Sequence, residues 1–366
     1  MSDGIAVILG TRPEIIKLAP VIRACEENKI PCTLIHTGQH YSDSLDSVFF
    51  DQLGLPDPDY NLEVGSASHG QQTGEMLIGI EEVLEEVSPE TVLVQGDTNS
   101  VLAGAIAASK LDVDLGHVEA GLRSNDRKMP EEINRVLADH AADTLFAPTR
   151  QSRENLLAEG IPDSRIEVTG NTVVDALYRN RELAAETSTV LDELGVDDRE
   201  FFLMTLHRQE NVDDPELFEA LLFGASRAAD KHGVDVIYPI HPRAEKRLEE
   251  FGLEVPEPIR VVEPQEYLDF IRLEDAATLV MTDSGGVQEE ACILGTPCVT
   301  LRDSTERPET VSVGANVLAD HDPATIIASV DQMIERDSDW ENPFGDGDAG
   351  ERILQSVQPQ LEVLQP

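Results

Sequence analysis

Basic residues are scarce in this sequence. Its 366 residues include 27 lysines and arginines, against 71 aspartates and glutamates, so the formal net charge is −44. So acidic a surface repels nucleic acid and anionic membranes, and we expect neither as a partner. Because the acidic residues are spread along the chain and 40% of all residues are hydrophobic, the composition indicates a folded protein with a solvated surface suited to a high-salt cytoplasm.

Cysteines and long apolar runs are also few. The four cysteines, at positions 25, 32, 292 and 298, lack the CxxC spacing of metal sites. We therefore expect buried free thiols in a reducing compartment. The sequence shows no signal peptide and no apolar run of transmembrane length, which predicts a cytoplasmic location. A Walker A loop, a GxSxG nucleophile elbow and a zinc signature are absent as well.

Strands and helices alternate along the chain. This alternation predicts an α/β protein with two Rossmann-like, doubly wound parallel sheets that face a central cleft. Since 366 residues exceed what one core comfortably fills, we expect an N-terminal domain over 1–170 and a C-terminal domain over 171–350, with a last helix in 351–366 packing back on the first. The predicted strands are 4–10, 33–36, 91–95, 115–118, 201–206, 234–240, 259–262, 278–281 and 298–301.

The stretch Ser284-Gly285-Gly286 is the clearest candidate for an anion site. It joins a short apolar strand to a helix, so it places bare amides at a helix N-terminus. Such an end carries about half a positive charge, and glycine lets an anion approach the backbone closely. The pattern predicts a nucleotide diphosphate here, with Glu290 accepting hydrogen bonds from ribose hydroxyls. A turn capped by Ser284 is the simpler alternative.

Several basic residues stand just after predicted strands. Because an arginine fork matches phosphate oxygens, together they predict a diphosphate pocket. For any one of them, the alternative is a plain ion pair in a chain with 71 acidic residues. A histidine taken alone is more often a hydrogen-bonded polar group than a catalyst. The residues concerned are Arg12, Lys17, Arg123, His207, Arg208, Arg243 and Arg307.

Three carboxylates are placed for chemistry. Asp97 and Glu119 each follow a predicted strand, and Glu131 opens a predicted helix. Asp97 has a structural alternative as a helix N-cap, and Glu131 has one as compensation of the helix dipole. Glu119 has the weakest structural explanation. Carboxylates opposite a cationic diphosphate pocket suit acid–base chemistry on a sugar.

No metal and no nicotinamide cofactor are expected. His36 and His40 are close in sequence, but the segment between them lacks a regular ligand register. A formal GxGxxG occurs at 345–350, yet it follows no predicted strand and holds Asp346 and Asp348 where a pyrophosphate would lie. We therefore reject it as a dinucleotide site.

At these residues the sequence resembles the non-hydrolysing UDP-N-acetylglucosamine 2-epimerases. The resemblance implies a glycosyltransferase-B-like fold, a homodimer, and UDP-N-acetylglucosamine and UDP-N-acetylmannosamine as substrates. The matching stretches are Gly10-Thr11-Arg12-Pro13-Glu14 with Lys17, Thr37-Gly38-Gln39-His40, Gln95-Gly96-Asp97-Thr98, 117–123, Pro130-Glu131-Glu132-Ile133-Asn134-Arg135, 263–267, 283–290 and 302–309.

The resemblance also implies individual roles. Catalytic roles are implied for Asp97, Glu119, Glu131 and His207. Contacts with the UDP-sugar are implied for the same residues other than Glu131 and for a further group, which comprises Arg12, Lys17, Gln265, Phe270, Ser284, Gly285, Gly286, Glu290 and Arg307.

The implied reaction inverts C2 of the sugar. Its C2 proton lies next to no carbonyl, so we expect the C1–O bond to break first, giving a 2-acetamidoglucal and UDP. Protonation of C2 from the opposite face and re-addition of UDP then complete the inversion without NAD. Three alternatives stay open: a hydrolysing epimerase that releases UDP and N-acetylmannosamine, a glycosyltransferase of the same fold, and a UDP-sugar-binding regulator without turnover.

Overall fold

The computed structural model describes residues 4–38 and 49–362. The contacts divide the chain into two compact units. Unit 1 comprises Met1–Ala176 and Phe344–Pro366, and unit 2 comprises Leu177–Pro343. Each unit is built around one parallel sheet.

Unit 1 alternates strands with helices. Its strand β1 is a fully buried apolar run, as expected for a central strand covered on both faces. The elements in chain order are β1 (Ile5–Leu9), α1 (Arg12–Asn28), β2 (Cys32–His36), β3 (Tyr60–Asn61), α2 (His69–Val87), β4 (Thr91–Gln95), α3 (Asn99–Ala108), β5 (Asp114–Val118), α4 (Pro130–Ala141), β6 (Thr144–Ala147), α5 (Arg150–Ala158), a short 3₁₀ turn (Asp163–Arg165), β7 (Ile166–Val168) and the start of α6 (Thr172–Thr187).

The seven strands of unit 1 lie in the order β3-β2-β1-β4-β5-β6-β7. All of these neighbours pair in parallel. Strand β1 is flanked by β2 and β4, with Ile5 opposite Cys32 on one side and Thr91 on the other. The strand order reverses between β1 and β4. In doubly wound sheets, ligands bind outside the carboxyl ends of the strands at such a switch point.

The last described helix, α15 (Ala349–Glu362), packs against α1 within unit 1. Asn28 Nδ2 donates to Glu351 Oε1 at 3.3 Å, and the amide of Gly350 donates to Asp175 Oδ1 at 2.8 Å. The C-terminal segment is thus part of the first unit, although it follows the second in sequence.

Unit 2 repeats the alternation of strands and helices. Helix α9 (Pro215–His232) shows how the local sequence sets the ends of a helix. Asp214 caps its N-terminus, Pro215 opens the first turn, and Gly233 ends the helix in a left-handed conformation. After α6, the elements are α7 (Val190–Leu194), β8 (Phe201–Thr205), α8 (Gln209–Val212), α9 (Pro215–His232), β9 (Asp235–Pro239), α10 (Pro242–Phe251), β10 (Ile259–Val262), α11 (Tyr267–Ala276), β11 (Leu279–Thr282), α12 (Gly285–Leu294), β12 (Cys298–Thr300), α13 (Pro308–Ser312), β13 (Asn316–Leu318) and α14 (Pro323–Ile334).

The six strands of unit 2 lie in the order β10-β9-β8-β11-β12-β13, again all parallel. Successive residues of β8 enter different cores, because side chains alternate across a strand. Phe202 and Met204 belong to one apolar cluster, and Phe201 and Leu203 to another. The sheet is therefore covered on both faces, and its switch point lies between β8 and β11.

The predicted fold class of two parallel, doubly wound α/β sheets is confirmed. Strands β3, β6, β7 and β13 were not predicted. Strands β3, β7 and β13 are sheet edges with at most one buried residue each, so they lack the apolar run that marks a buried strand. Among the described residues, no helix is long and apolar enough to cross a membrane.

Candidate active site

The switch point of unit 1 holds Glu119 in a network of side chains. Glu119 follows β5 with a φ of +68°, which is uncommon for a residue with a side chain and is typical of functional sites. Lys17 Nζ of α1 lies 2.6 Å from Glu119 Oε1, and Gln95 Nε2 at the end of β4 donates to Oε2. The carboxylate is 5% exposed in its side chain and is held on both oxygens.

Asp97 follows β4 and is held by helix α4. Arg135 Nη2 forms an ion pair with Asp97 Oδ2, and Asn134 Nδ2 donates to the Asp97 carbonyl at 3.0 Å. The predicted alternative, that Asp97 caps α3, is not what the structure shows. Thr98 is the N-cap residue, and its hydroxyl accepts from the amide of Val101. Asp97 is therefore not needed to cap the helix.

Glu131 and Glu132 occupy the first turn of α4 in different ways. Glu131 is exposed, as an acid that complements a helix dipole would be. Glu132 is buried and accepts from the amides of Ser124 and Asn125 at 2.9 and 3.0 Å. Burial raises the pKa of Glu132, but these bonds and Arg135 outweigh it and hold the pKa below its usual value. Glu132 thus fixes the loop before the helix.

Three buried charged side chains, those of His117, Asp139 and Arg123, are connected in series and contact the loop after β4. His117 on β5 is 0% exposed, with Nδ1 2.7 Å from Asp139 Oδ1 and Nε2 2.9 Å from the Gly96 carbonyl. Asp139 Oδ2 lies 2.7 Å from Arg123 Nη2. Burial alone would raise the pKa of Asp139, but His117 and Arg123 outweigh it and lower the pKa. Arg123 also binds Glu159, so it forms the ion pairs that were the alternative to a phosphate contact.

Arg12 and Glu14 stand at the start of α1. Arg12 is exposed, and its guanidinium carbon lies 5.6 Å from the centroid of the Phe49 ring. Glu14 is 1% exposed and accepts hydrogen bonds from Gly10 and Thr11 in the loop after β1 and from Thr98 in the loop after β4.

The stretch predicted to bind an anion lies at the switch point of unit 2. Ser284 is the N-cap of α12, with its Oγ 3.5 Å from the Val287 amide. In the part of the chain that the structure describes, no acceptor is found for the amides of Gly285 and Gly286. A Cβ built on Gly285 would meet only Glu306 Oε2, at 3.7 Å, so the space above these amides is open. The cap by Ser284 therefore leaves these two amides available to an anion.

Asp283 organises the loop after β8. It is fully buried, and it accepts from the amides of His207 and Arg208 and from Asn211 Nδ2 at 3.0–3.2 Å. His207 Nδ1 lies 2.9 Å from Asp283 Oδ1. Burial would raise the pKa of Asp283, but His207 and the donated bonds outweigh it and lower the pKa. Because a carboxylate only accepts, Nδ1 carries a proton and Nε2 is the nitrogen left for a ligand.

A cavity of about 420 Å³ opens beside this loop. Much of its wall is apolar, which suits a flat base, and the polar groups His207, Gln265 and Ser284 line it together with Phe270. The lining comes from the carboxyl ends of β8 and β9 and from the segments after β8, β9, β10 and β11, namely Thr205, Leu206, His207, Pro239, Ile240, His241, Pro242, Pro264, Gln265, Phe270, Ser284 and Val287. The sequence-predicted residues His207, Gln265, Phe270 and Ser284 are thus brought together.

The remaining predicted residues of unit 2 lie on or near α12. Arg307 Nε donates to Glu289 Oε2 at 3.1 Å. Glu290 lies near two buried groups of α11: its charge raises the pKa of Tyr267 and of Glu274, in both cases after burial, which is the larger cause. Neither residue lines the cavity described above.

A cluster of two arginines and two glutamates next to Gly285 was not predicted in detail; Arg208 and Arg302 each lie within 4 Å of both Glu210 and Glu306. Glu306 is held by Arg302 at 2.8 and 3.0 Å, and Arg208 Nη2 lies 3.5 Å away. The hydrogen bond from Arg302 is the main reason that the pKa of Glu306 falls to about 2. Arg243, by contrast, is paired with Asp213 at 2.9 Å.

Sequence reasoning missed the buried acids Glu14, Asp139 and Asp283. Asp283 follows β11 just as Asp97 follows β4, so its position was a usable signal. Glu14 carries no such signal, since an acid in a first helical turn is ordinary. Gln39 and His40 lie outside the described residues. Among those described, no group of three or more His, Cys, Asp or Glu side chains could hold a metal ion.

The fold and these groups define a class of protein. Two doubly wound sheets, with paired carboxylates at one switch point and an open helix N-terminus at the other, are typical of glycosyltransferase-B-like α/β enzymes that handle nucleotide-activated sugars. The family model of the UDP-N-acetylglucosamine 2-epimerases matches residues 23–358. The chain belongs to this family.

Known relatives cover nearly the whole chain. A UDP-N-acetylglucosamine 2-epimerase of Methanocaldococcus jannaschii is 53% identical over 96% of this chain and 97% of its own length. The crystal structure of the M. jannaschii enzyme in complex with UDP-GlcNAc and UDP has a TM-score of 0.84 over 97% of this chain and 99% of its own, at 52% identity. A UDP-2,3-diacetamido-2,3-dideoxy-D-glucuronate 2-epimerase of Pseudomonas aeruginosa is 42% identical over 96% of this chain and 98% of its own length.

Proposed function

We propose that this chain is a non-hydrolysing UDP-N-acetylglucosamine 2-epimerase, which interconverts UDP-N-acetylglucosamine and UDP-N-acetylmannosamine. The observation that carries the proposal is the pair of switch points. That of unit 2 offers open amides at Gly285 and Gly286 beside a cavity of about 420 Å³, and that of unit 1 offers the carboxylates of Asp97 and Glu119. The activity of the M. jannaschii relative supports this choice of substrate.

The order of bond breaking follows from the substrate. The C2–H bond of the sugar is not acidified by a carbonyl, so a carboxylate cannot remove that proton directly at a useful rate. When the C1–O bond breaks, its electron pair leaves with UDP and positive charge grows at C1. A carboxylate then takes the C2 proton, and the C1=C2 double bond of a 2-acetamidoglucal forms.

The groups of unit 2 stabilise the departing UDP. Negative charge that develops on its β-phosphate meets the positive end of α12, and one preorganised donor of this kind contributes about 3 kcal/mol. Arg307 and the Nε2 of His207 are the further candidates for contacts with the diphosphate. Gln265 and Phe270, in the wall of the cavity, are candidates for contacts with the nucleoside.

The groups of unit 1 move the proton. Inversion requires that a proton leaves one face of C2 and arrives at the other, so at least two groups are needed. Asp97, Glu119 and Glu131 are the candidates. Lys17 and Gln95 hold Glu119 in one orientation, and Arg135 holds Asp97. After protonation of C2, the UDP oxygen adds back to C1, and no redox cofactor takes part.

Proton NMR of the purified protein with UDP-N-acetylglucosamine in D₂O and molar KCl tests the proposal. We expect UDP-N-acetylmannosamine with deuterium at C2, at a constant total of UDP-sugars. The variants Asp97→Asn and Glu119→Gln should lose most of the turnover while still binding UDP. Product without deuterium at C2 would contradict a base that exchanges with solvent.

The same spectra separate the competing functions. Accumulation of free UDP with N-acetylmannosamine would identify a hydrolysing epimerase, and UDP release only with an added acceptor would identify a glycosyltransferase. Binding of UDP without any change in the sugar would identify a regulator. Because the P. aeruginosa relative is named for a diacetamido-glucuronate, that UDP-sugar should be offered in competition. We expect it to be turned over more slowly.

The proposal extends to the lack of a cofactor requirement, to the oligomeric state and to the cellular location of the protein. We expect full activity without added NAD, because the chemistry needs no hydride transfer. Light scattering in molar KCl should give the mass of a homodimer. The four cysteines are free thiols, which suits the reducing cytoplasm.

A further inference from the structure

Three consecutive residues after β4 are each held by a different element of unit 1. The Gly96 carbonyl accepts from His117 of β5 at 2.9 Å, and the Asp97 carbonyl accepts from Asn134 of α4 at 3.0 Å. The Thr98 hydroxyl donates to Glu14 Oε1 of α1 at 2.7 Å. The peptide that carries Asp97 is thus fixed from three sides.

Of these three partners, Glu14 also binds a second functional loop. Its Oε2 accepts from the Gly10 amide at 2.9 Å and from the Thr11 hydroxyl at 2.8 Å. This is the loop that leads from β1 into α1 and carries Arg12. One buried carboxylate therefore connects the loop of a candidate diphosphate ligand to the loop of a candidate base.

We infer that Glu14 is a positioning residue that holds the Asp97 loop against the loop after β1, and that it does so only as a carboxylate. The inference rests on the proposed function, in which Asp97 moves a proton at the sugar. Glu14 itself is not assigned a contact with the substrate.

All three hydrogen bonds around Glu14 are donated to it, which suits its ionised form. The donors are the Gly10 amide and the hydroxyls of Thr11 and Thr98. A protonated Glu14 adds an O–H that needs an acceptor, so the hydroxyl of Thr98 or of Thr11 must turn and its bond with Glu14 must reverse. One of the two loops would then lose a bond that it donates to Glu14.

The pKa of Glu14 lies near neutral pH, so the change in its hydrogen bonds falls within the pH range of an activity assay. Burial raises its pKa to about 7, although the hydrogen bonds from Thr98, Thr11 and Gly10 oppose the shift. Within one helical turn of Glu14, the charged groups of α1 are Arg12 and Lys17, and Asp97 is the charged residue next to Thr98 in the loop after β4. Lys17 is paired with Glu119 and Asp97 with Arg135, so each has its own partner.

A purely structural role is the competing explanation. An acid in the first turn of a helix commonly complements the helix dipole from an exposed position. Glu14 is 1% exposed, and its bonds reach two loops as well as the start of its own helix. The two explanations differ in what they predict for turnover and for pH.

The test is Glu14→Gln in the full chain, because a neutral amide of the same shape imitates protonated Glu14. For the wild type we expect kcat to rise with pH through about 7, the pKa of Glu14. In Glu14→Gln this rise should be missing, and kcat at pH 8 should be lower by about 10- to 100-fold with KM changed by less than about twofold.

The melting temperature supplies the readout that separates positioning from stability. Since the folded pKa of Glu14, about 7, exceeds its ordinary 4.5, folding is opposed by its ionisation as the pH rises. The difference in Tm between Glu14→Gln and wild type should therefore shift in favour of the variant between pH 5 and pH 8. A purely structural role predicts that Glu14→Gln has a lower Tm while the pH dependence of its kcat stays that of the wild type.

Three further variants serve as controls. Thr98→Val removes the hydroxyl while leaving Glu14 in place, and we expect it to lower kcat in the same way. Thr98→Ser keeps the hydroxyl and should keep kcat. Glu216→Gln, at an exposed first-turn acid of α9, should leave kcat and its pH dependence unchanged.

Two failures are distinguishable. If the wild type does not epimerise the UDP-sugar, the proposed function is wrong. If the wild type is active, and folded Glu14→Gln and Thr98→Val keep its kcat and its pH profile, the positioning role of Glu14 is overturned while the proposed function stands. Should Glu14→Gln not fold, the pH dependence of kcat in Thr98→Val compared with Thr98→Ser decides the question, because loss of the α3 cap alone would leave the rise of kcat through about pH 7 in place.

Discussion

His117 is a buried imidazolium. Both of its ring nitrogens face groups that can only accept: Nδ1 lies 2.7 Å from Asp139 Oδ1 and Nε2 2.9 Å from the Gly96 carbonyl. Both nitrogens must therefore carry a proton. Burial opposes this charge, but Asp139 and the bond to Gly96 outweigh burial and raise the pKa of His117.

The charge on His117 predicts a pH-dependent stability. Because its folded pKa is raised, its contribution is present in full below the ordinary 6.5 and is lost as the pH rises through the folded pKa. We expect His117→Gln to lower the free energy of unfolding by about 1–3 kcal/mol at pH 6 and by less at pH 9. Urea unfolding at constant KCl measures the difference.

His140 provides the control for this experiment. It lies on α4 with its side chain 49% exposed, and its nearest acid is Glu159 at 3.6 Å. His140→Gln should change the stability by less than about 0.5 kcal/mol at either pH. A loss for His117→Gln that is the same at pH 6 and pH 9 would show that the ring is neutral in the fold.

At the scale of residues, the sequence could indicate where strands end. It indicated little about which polar side chains are buried. Asp97 and Glu119 could be proposed as candidates because they follow apolar runs. The importance of Glu14 and His117 depends on which loops pack around them, and that is decided by contacts between residues distant in sequence. Glu131 and Glu132 look alike in the sequence, but only Glu132 is buried against the preceding loop. The catalytic role of Glu131 stays a prediction.

Helix α12 is the element whose N-terminus forms the proposed diphosphate site. Neither Gly285 nor Gly286 has a positive φ, so neither is a glycine because of its backbone conformation. A Cβ would meet nothing closer than 3.7 Å at Gly285 and 3.8 Å at Gly286. Packing within the chain therefore does not explain the two glycines, whereas close approach of an anion does.

This predicts an opposite effect of Gly286→Ala on stability and on binding. Alanine favours a helix by about 1 kcal/mol over glycine, so the variant should be at least as stable as the wild type. Its methyl group should hinder the close contact of phosphate with the amides, and the loss of one charged hydrogen bond corresponds to about a 10- to 100-fold weaker affinity for UDP. Calorimetric titration with UDP and a thermal melt measure both.

Gly74 supplies the matched control. It lies inside α2, and a Cβ there would meet nothing within 4 Å. Gly74→Ala should raise the melting temperature in the same direction without changing the affinity for UDP. An unchanged affinity in Gly286→Ala would place the diphosphate elsewhere.

At the scale of elements, hydrophobic runs with glycine turns predicted most of the central strands. The strand at 91–95 is found where it was expected, and the expected strand at 278–281 is β11 (Leu279–Thr282). The two-residue β3 and the three-residue β7 and β13 have at most one buried residue each, so their sequences show no apolar run. The equally short β12 could be predicted because all three of its residues are buried.

At the scale of the whole molecule, charge is the dominant property. With 27 lysines and arginines for 71 acidic residues, 71 − 27 = 44 carboxylates have no lysine or arginine of their own. Their mutual repulsion opposes the compact state. Salt also weakens exposed ion pairs such as that of Arg153 with Asp163, but such pairs contribute little to stability.

We therefore expect KCl to stabilise the protein. The screening length falls from about 10 Å at 0.1 M to about 3 Å at 1 M, so repulsion between neighbouring surface carboxylates is largely removed. The melting temperature should rise by at least about 5 °C between 0.1 and 2 M KCl, which corresponds to a gain of a few kcal/mol for units of this size. Sucrose at the same osmolality is the control, because it acts by exclusion from the surface and does not screen charge. A melting temperature that stays constant or falls in KCl, or an equal rise in sucrose, would show that charge repulsion does not limit the stability of this fold.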